Sequence, residues 1–269
     1  VWGQAFGSRA KTDSDGNAAA FDRSNGGLLV GADSLVGDWR VGLLGGYSHS
    51  SFDADARRSS GASDNYHLGL YGGTNWGAIA FRTGAAYSWS SISTKRSVAF
   101  NGFADALSAD YDAATAQVFG ELAYKMDADR FHFEPFANLT YVDVKTDGFS
   151  EKGGAAALTS QSSNTDATFT TLGLRASTDL GLGGIKATAR GTLGWRHAFG
   201  DVTPTSTFAF AGGDAFTIGG VPVARDSAVI EAGFDLQMST NATLGLYYAG
   251  QFGSHATDNG ARANLNVRF

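Results

Sequence analysis

Apolar and polar residues alternate along most of this chain, and the alternation has a period of two. The C-terminal stretch "ARANLNVRF" is the plainest case. Ala261, Ala263, Leu265, Val267 and Phe269 interleave with Arg262, Asn264, Asn266 and Arg268. Successive strand side chains point to opposite faces, so each set occupies its own environment. In "WRVGLLGGYSHS", Trp39, Val41, Leu43 and Tyr47 face away from Arg40, Gly42, Gly46 and Ser48, with Leu44 the exception. Tyr66, Leu68 and Leu70 share a face. Ile79, Phe81, Ala85, Tyr87 and Trp89 oppose Arg82, Gly84 and Ser88. Val118, Leu122, Tyr124 and Met126 oppose Gln117, Glu121 and Lys125. Phe131, Phe133, Ala137, Leu139 and Tyr141 oppose His132, Glu134 and Asn138.

The second half repeats the habit. Leu172, Leu174 and Ala176 oppose Arg175, and Ala187, Ala189, Leu193 and Trp195 oppose Lys186, Arg190 and Arg196. Ile230, Ala232, Phe234 and Leu236 oppose Glu231, Asp235 and Gln237. Leu244, Leu246, Tyr248 and Phe252 oppose Thr243 and Gln251. With two segments near 1–9 and 26–35, whose mixed alternation leaves their facing open, and the last, the pattern predicts twelve strands.

The predicted connections are of two kinds. Tight ones fall near Gly37, Trp76, Asp127, Gly183 and Thr240. Longer ones cover about 10–25, 53–63, 94–108, 148–166, 200–226 and 253–259. Strict alternation of short and long puts all short turns at one end of an antiparallel sheet. That is the plan of an all-β transmembrane barrel with short periplasmic turns and long external loops. An even strand count then puts both termini on the periplasmic side. Aromatic residues predict two rims: Trp39, Trp76, Tyr124, Phe131, Phe133 and Phe269 at one, Tyr47, Tyr66, Tyr87, Trp89, Tyr141 and Trp195 at the other. The last strand must pair with the first, because lipid tolerates no open backbone edge. A soluble β-sandwich fits less well, since its polar face would carry more Lys and Glu and its edges would need protection. Pro135 lacks a ladder donor, which predicts a bulge or distortion there. The 200–226 segment, with "FAFAGGDAF", reads equally as a hairpin folding back over the barrel mouth or as a disordered loop.

Composition narrows the picture. The 269 residues include 37 Gly, 3 Pro and no Cys, which excludes a disulfide framework and thiolate metal sites. A net charge of −6 disfavours nucleic acid as a partner. No run approaches 18 apolar residues, so a membrane-spanning helix is not expected; barrel strands need only half their residues apolar. No signal peptide precedes Val1, so the chain is expected to be mature, processed or truncated. The five His are dispersed without metal-ligand spacing, and no cofactor is expected.

The polar faces give the candidate functional set. Arg40, Arg82, Glu121, Glu134, Asn138, Arg175, Lys186, Arg190, Arg196, Glu231, Asp235, Arg262 and Arg268 are expected to line a wet, somewhat cationic lumen. Their charges need partners whether they guide a polypeptide or only fill the barrel. "GADSL" resembles a lipase serine motif but lies within a strand, so Ser34 is not expected to be a nucleophile. His49, Ser51 and His197 are placed at the external rim as interfacial residues. No catalytic residue is expected.

"DNYHLGLYGG", "AQVFGELAY", "FEPFANLTYV", "TLGLRAS", "GWRHAFGD" and the terminal "LNVRF" closely resemble the β-domain of bacterial autotransporters, the type V secretion proteins. The resemblance runs from "VWGQAFGS" to Phe269 in the family's order. It implies one translocator barrel over residues 1–269, integral to the Gram-negative outer membrane, that secretes an N-terminal passenger. Implied partners are outer-membrane lipid, the β-barrel assembly machinery and the chain's own passenger and linker, with the barrel monomeric. Leu265, Val267 and Phe269 are similar to the family's assembly signal. The usual helical linker is not in this sequence, and neither is the linker Asn that some relatives cut, so self-cleavage is not expected. Two other readings stay open: a small-solute outer-membrane channel and an outer-membrane hydrolase.

Overall fold

The computed structural model describes residues 1–182, 185–200 and 202–268. Its strands are β1 (Trp2–Thr12), β2 (Phe21–Val36), β3 (Trp39–Ala54), β4 (Ser59–Trp76), β5 (Ile79–Phe100), β6 (Phe103–Tyr124), β7 (Met126–Ala128) and β8 (Phe131–Thr146). There follow β9 (Phe149–Ser150), β10 (Leu158–Ser160), β11 (Ser163–Leu182), β12 (Ile185–Phe199), β13 (Thr205–Phe210), β14 (Phe216–Gly219), β15 (Asp226–Gln237), β16 (Ala242–Gly253) and β17 (Ala256–Val267). Thirteen strands share one antiparallel sheet, and β6 and β7 lie end to end along β8, so the sheet has twelve staves. β8 pairs with β11 and β17 with β1, which closes it into a barrel. The closing seam runs from Trp2↔Asn266 to Thr12↔Ala256. The lipid-tolerant solution is reached: no stave keeps a free edge.

The packing is inside out relative to a water-soluble protein. Among the described residues no large side chain is fully buried, while Leu43 is 64% and Leu193 63% exposed on the outer face. Leu28, Leu68, Leu70, Leu122, Leu139 and Leu172 complete an apolar belt. Aromatic pairs bound it on both sides. Trp39 and Trp76 meet Phe81 at 5.9 and 6.1 Å toward the short turns; Tyr47 meets Tyr66 at 5.5 Å and Tyr87 meets Trp89 at 4.8 Å toward the long loops.

Register settles the two ambiguous strands. Ala5 pairs with Leu28 and Ala263, so Gly3, Ala5 and Gly7 face outward with Leu28 and Val30, and Trp2 and Phe6 face the lumen. Small residues opposite make room for these rings. A Cβ at Gly31 would lie 2.5 Å from the Trp2 ring, and one at Gly84 2.7 Å from the Phe119 ring. Rings pressed flat onto glycine keep bulky groups off the barrel axis, and account for part of the high Gly content.

Both termini lie at the short-turn end: Val1 N and Val267 O are 3.0 Å apart, and Arg268 N donates to Asn241 O. The turns after β2 and β4 carry Gly37 and Gly77 at their first central position with φ of 60° and 61°, as type II′ hairpins require. The turn predicted near Gly183 lies outside the described residues at positions 183 and 184.

Three expectations need correction. The predicted loop at 94–108 is strand: β5 and β6, 22 residues each, meet at a two-residue turn, Asn101–Gly102. The 53–63 segment is reduced to one 3-10 turn at Asp55–Arg57, and the 253–259 segment to Ser254 and His255. These strands run on into water, where the outer face becomes polar and the hydrophobic signal of a membrane strand vanishes. At Pro135 the predicted distortion is present, as a gap in one ladder and not as a bulge. Ala123 pairs with Phe136 and Met126 with Phe133, three residues along both strands, so the ladder lapses between them without an inserted residue.

The two loops expected at 148–166 and 200–226 together build a second, four-stranded sheet in the order β14-β13-β10-β9. One end is tied to β6, where Ser108 and Lys152 exchange backbone hydrogen bonds of 2.9 and 2.8 Å and Tyr111 stacks on Phe149 at 4.3 Å. At the other end Gly219 O accepts from Asn17 Nδ2, in the β1–β2 loop, at 3.3 Å. β6 and β1 lie five strands apart around the ring, so this sheet bridges the mouth.

Candidate functional site: the barrel lumen

Strand alternation puts Arg40, Arg82, Glu121, Glu134, Asn138, Arg175, Lys186, Arg190, Arg196, Glu231, Asp235 and Arg262 on the lumenal face. Arg268 lies past the end of β17, exposed at the short-turn rim. Leu265 and Val267 are on the lipid face of β17. Phe269 lies outside the described residues.

Four of these residues form one network. Arg82 Nη1 donates to Glu121 Oε1 at 2.8 Å, and its Nη1 and Nη2 grip Glu134 at 2.9 and 2.8 Å. Arg175 grips Glu121 through Nη1 and Nη2 at 2.9 and 2.7 Å and reaches Glu134 Oε1 at 2.8 Å. The four side chains come from adjacent staves β5, β6, β8 and β11, and each touches both opposite charges. Arg175 also lies over the Phe136 ring at 4.0 Å. Glu121, 6% exposed, has both guanidiniums beside it to offset the water its charge has lost.

Smaller pairs continue around the same half of the wall. Arg40 Nη1 donates to Asp33 Oδ1 at 2.5 Å; Tyr71 donates to Asp33 Oδ2 at 2.8 Å, and Trp2 Nε1 to Tyr71 at 2.6 Å. Arg190 Nε donates to Asp235 Oδ2 at 2.6 Å, and the Tyr247 hydroxyl donates to the other oxygen of that carboxylate. Arg262 pairs with Glu231 at 2.5 Å. A cavity of about 500 Å³ runs between these groups, bordered by Arg82, Glu134, Arg175, Arg190 and Glu231. Lys125 Nζ donates to Asn75 Oδ1 at 2.7 Å, and Lys186 is exposed near the short-turn rim.

Nearer the long loops the lumen is lined mainly by neutral groups. Ser48 Oγ and Ser88 Oγ lie 2.9 and 2.7 Å from the two ring nitrogens of His67. Asn65 Nδ2 donates to Ser48 O, and Ser50 donates to Asn25. Asn138 accepts from Thr140 Oγ1 at 2.8 Å. At the outer mouth Arg23 and Asp258 pair at 3.5 Å. Above it, Arg96 clamps Glu151 of the capping sheet at 3.0 and 2.5 Å and also donates to Ala156 O.

Asp33, Tyr71, Tyr247 and His67 were not singled out from the sequence. Tyr71 and Tyr247 each sit beside an outward apolar residue, Leu70 and Tyr248, and only their strand parity marks them as lumenal.

The groups weighed for other chemistry do not assemble. Ser34 faces outward opposite Val41. His49 and Tyr47 both bond to Asp64, His197 and Trp195 both to Asp226, all on the outer face, and Ser51 bonds to Ser24 rather than to His49. Among the described residues no three His, Asp or Glu side chains gather as metal ligands.

The comparisons agree with this geometry. The family model described as autotransporter beta-domain matches residues 1–249. An extracellular serine protease of Serratia marcescens is 41% identical over 271 residues, covering all of this chain and 26% of that protein. Esterase EstA of Pseudomonas aeruginosa is 28% identical over 158 residues, 56% of this chain and 24% of that protein. The chain thus spans about a quarter of the length of these relatives. Among solved structures, the translocator domain of NalP from Neisseria meningitidis superposes with a TM-score of 0.81 at 16% identity, covering 100% of this chain and 88% of that one. The β-domain of the Bordetella autotransporter BrkA gives 0.70 at 17% identity, covering 100% and 98%. The chain belongs to the autotransporter beta-domain family, whose barrels are integral outer-membrane transport units.

Proposed function

We propose that this barrel carries an N-terminal passenger polypeptide across the outer membrane through the lumen described above, with the short turns and both termini in the periplasm and the capping sheet outside. One observation supports it most: a closed wall, greasy outside, encloses polar groups most of whose charges are paired within the wall. A chain in transit needs hydrogen-bonding surface that does not hold it tightly, and paired charges provide this. The protease and esterase names of the relatives describe whole proteins of which this chain matches a quarter, so no such activity is assigned to the barrel.

A reporter polypeptide fused upstream of Val1 should reach the cell surface. An open ionic conductance with no export of the reporter would instead favour the small-solute channel. Assembly is proposed to depend on β17, with Leu265, Val267 and Phe269 offered to the β-barrel assembly machinery. Deleting Phe269 should cut the membrane-inserted fraction at least tenfold without changing synthesis, read as the heat-modifiable, folded band on gels; unchanged insertion would remove the assembly reading.

A further inference from the structure

The arginines of the lumenal wall differ in one respect. Arg40, Arg82, Arg175, Arg190 and Arg262 each hold a carboxylate at 2.5–2.9 Å, and Arg23 one at 3.5 Å. Arg196 holds none among the described residues. It comes from β12, three residues before the strand ends toward the long loops, and it is half-buried. Its Nε donates to Thr171 Oγ1 at 3.3 Å and its Nη1 to Gln251 Oε1 at 2.9 Å; the Phe169 ring lies 6.0 Å from its Cζ. Nη2 makes no hydrogen bond with any described residue.

The surroundings hold this guanidinium without neutralising it. Thr171 is 7% and Ser227 4% exposed, and Gln251 is kept in place by a bond to Ser227 Oγ at 3.4 Å. A guanidinium fork matches a carboxylate with two parallel N–H groups, and such charged hydrogen bonds are about twice as strong as neutral ones. A partly desolvated cation whose described neighbours are all neutral gains most from an anion that arrives from outside the wall.

We propose that Arg196 is a docking point inside the lumen for a carboxylate supplied by a visiting molecule. Two sources share that chemistry: the Asp or Glu side chains of a polypeptide in transit, and free small dicarboxylates. The first source rests on the translocator reading; the docking point itself does not.

The test uses the folded barrel in detergent micelles. A fluorescein-labelled peptide of alternating Glu and Ser is titrated by anisotropy against a Lys and Ser counterpart, with glutarate as competitor. The Glu peptide should bind and the Lys peptide should not. Arg196→Gln should weaken Glu-peptide binding about tenfold, the ratio expected for losing one charged hydrogen bond. Arg196→Lys should lose less, and Arg196→Glu should shift preference to the Lys peptide. Glutarate competing at millimolar concentration assigns the point to free dicarboxylates; failure to compete, with peptide binding intact, assigns it to polypeptide. Equal affinity of the wild type and Arg196→Gln, or no binding by the wild type, overturns the proposal. Heat-modifiability confirms that each variant has folded. Export of a fused reporter is scored separately: its failure in the wild type removes the translocator reading and leaves the binding result standing.

Discussion

Arg175 and Arg196 occupy neighbouring strands and the same lumenal face, yet they are held in opposite ways. Arg175 makes three hydrogen bonds to two carboxylates; Arg196 makes two to neutral oxygens. Each represents its half of the barrel. Toward the short turns the wall is a closed system of ion pairs, with Glu121 deep among its partners. Toward the long loops it is mostly hydroxyls, amides and one imidazole. The difference follows from what surrounds each half. The ion-paired half encircles a narrow cavity, where an unpaired charge is expensive. The outer half opens toward the loops, where solvent is near and neutral groups suffice.

Removing one member of the network should have the largest effect. Glu121→Gln leaves Arg82 and Arg175 short of a charge each, and should lower stability by about 2–3 kcal/mol, read as a shift of the urea unfolding midpoint in micelles. Pairing it with Arg175→Gln should cost less than the two single changes added together, because the residues act as one unit. A loss below about 0.5 kcal/mol would mean that the network is decorative and the contrast between the halves is only one of composition.

An intermediate effect is expected above the outer half. Arg96→Ala releases Glu151 and Ala156, so the capping sheet should open more often. Limited proteolysis within 151–158 should speed up about tenfold, as for any loop that loses a charged anchor, while the barrel stays resistant. Unchanged cleavage would show that the Ser108–Lys152 backbone pair and the Tyr111–Phe149–Phe208 ring stack hold the cap without Arg96.

The smallest effect belongs to the neutral half. Ser48→Ala removes one of the two hydroxyls that hold His67, and should cost about 1 kcal/mol in the same urea experiment. A loss as large as that of Glu121→Gln would erase the distinction between the halves.

Much of this architecture can be read from residues alone. Parity alone sorts Leu43 from Arg40 and Leu265 from Arg262, because strand geometry leaves side chains only two directions. The first strand resists that reading. Trp2 and Phe6 look like lipid-facing residues, and Gly3, Ala5 and Gly7 look like filler, until Gly31 and Gly27 are found opposite the rings. The long β5–β6 hairpin was hidden for another reason: outside the membrane both of its faces may be polar without penalty, so alternation carries no signal there.

The sequence by itself determined that the chain has two unlike faces, that it repeats them twelve times, and where tight turns such as those at Gly37 and Gly77 fall. Those features are local, set by the backbone's period of two and by the turn residues. Tertiary structure alone decided which charge meets which. Arg82 and Glu134 are 52 residues apart in sequence, and Arg196 and Gln251 are 55. A slip of one residue in any intervening strand would turn these side chains toward lipid. Register, summed around the closed ring, therefore chose both the satisfied network around Glu121 and, for Arg196, neutral partners among the described residues.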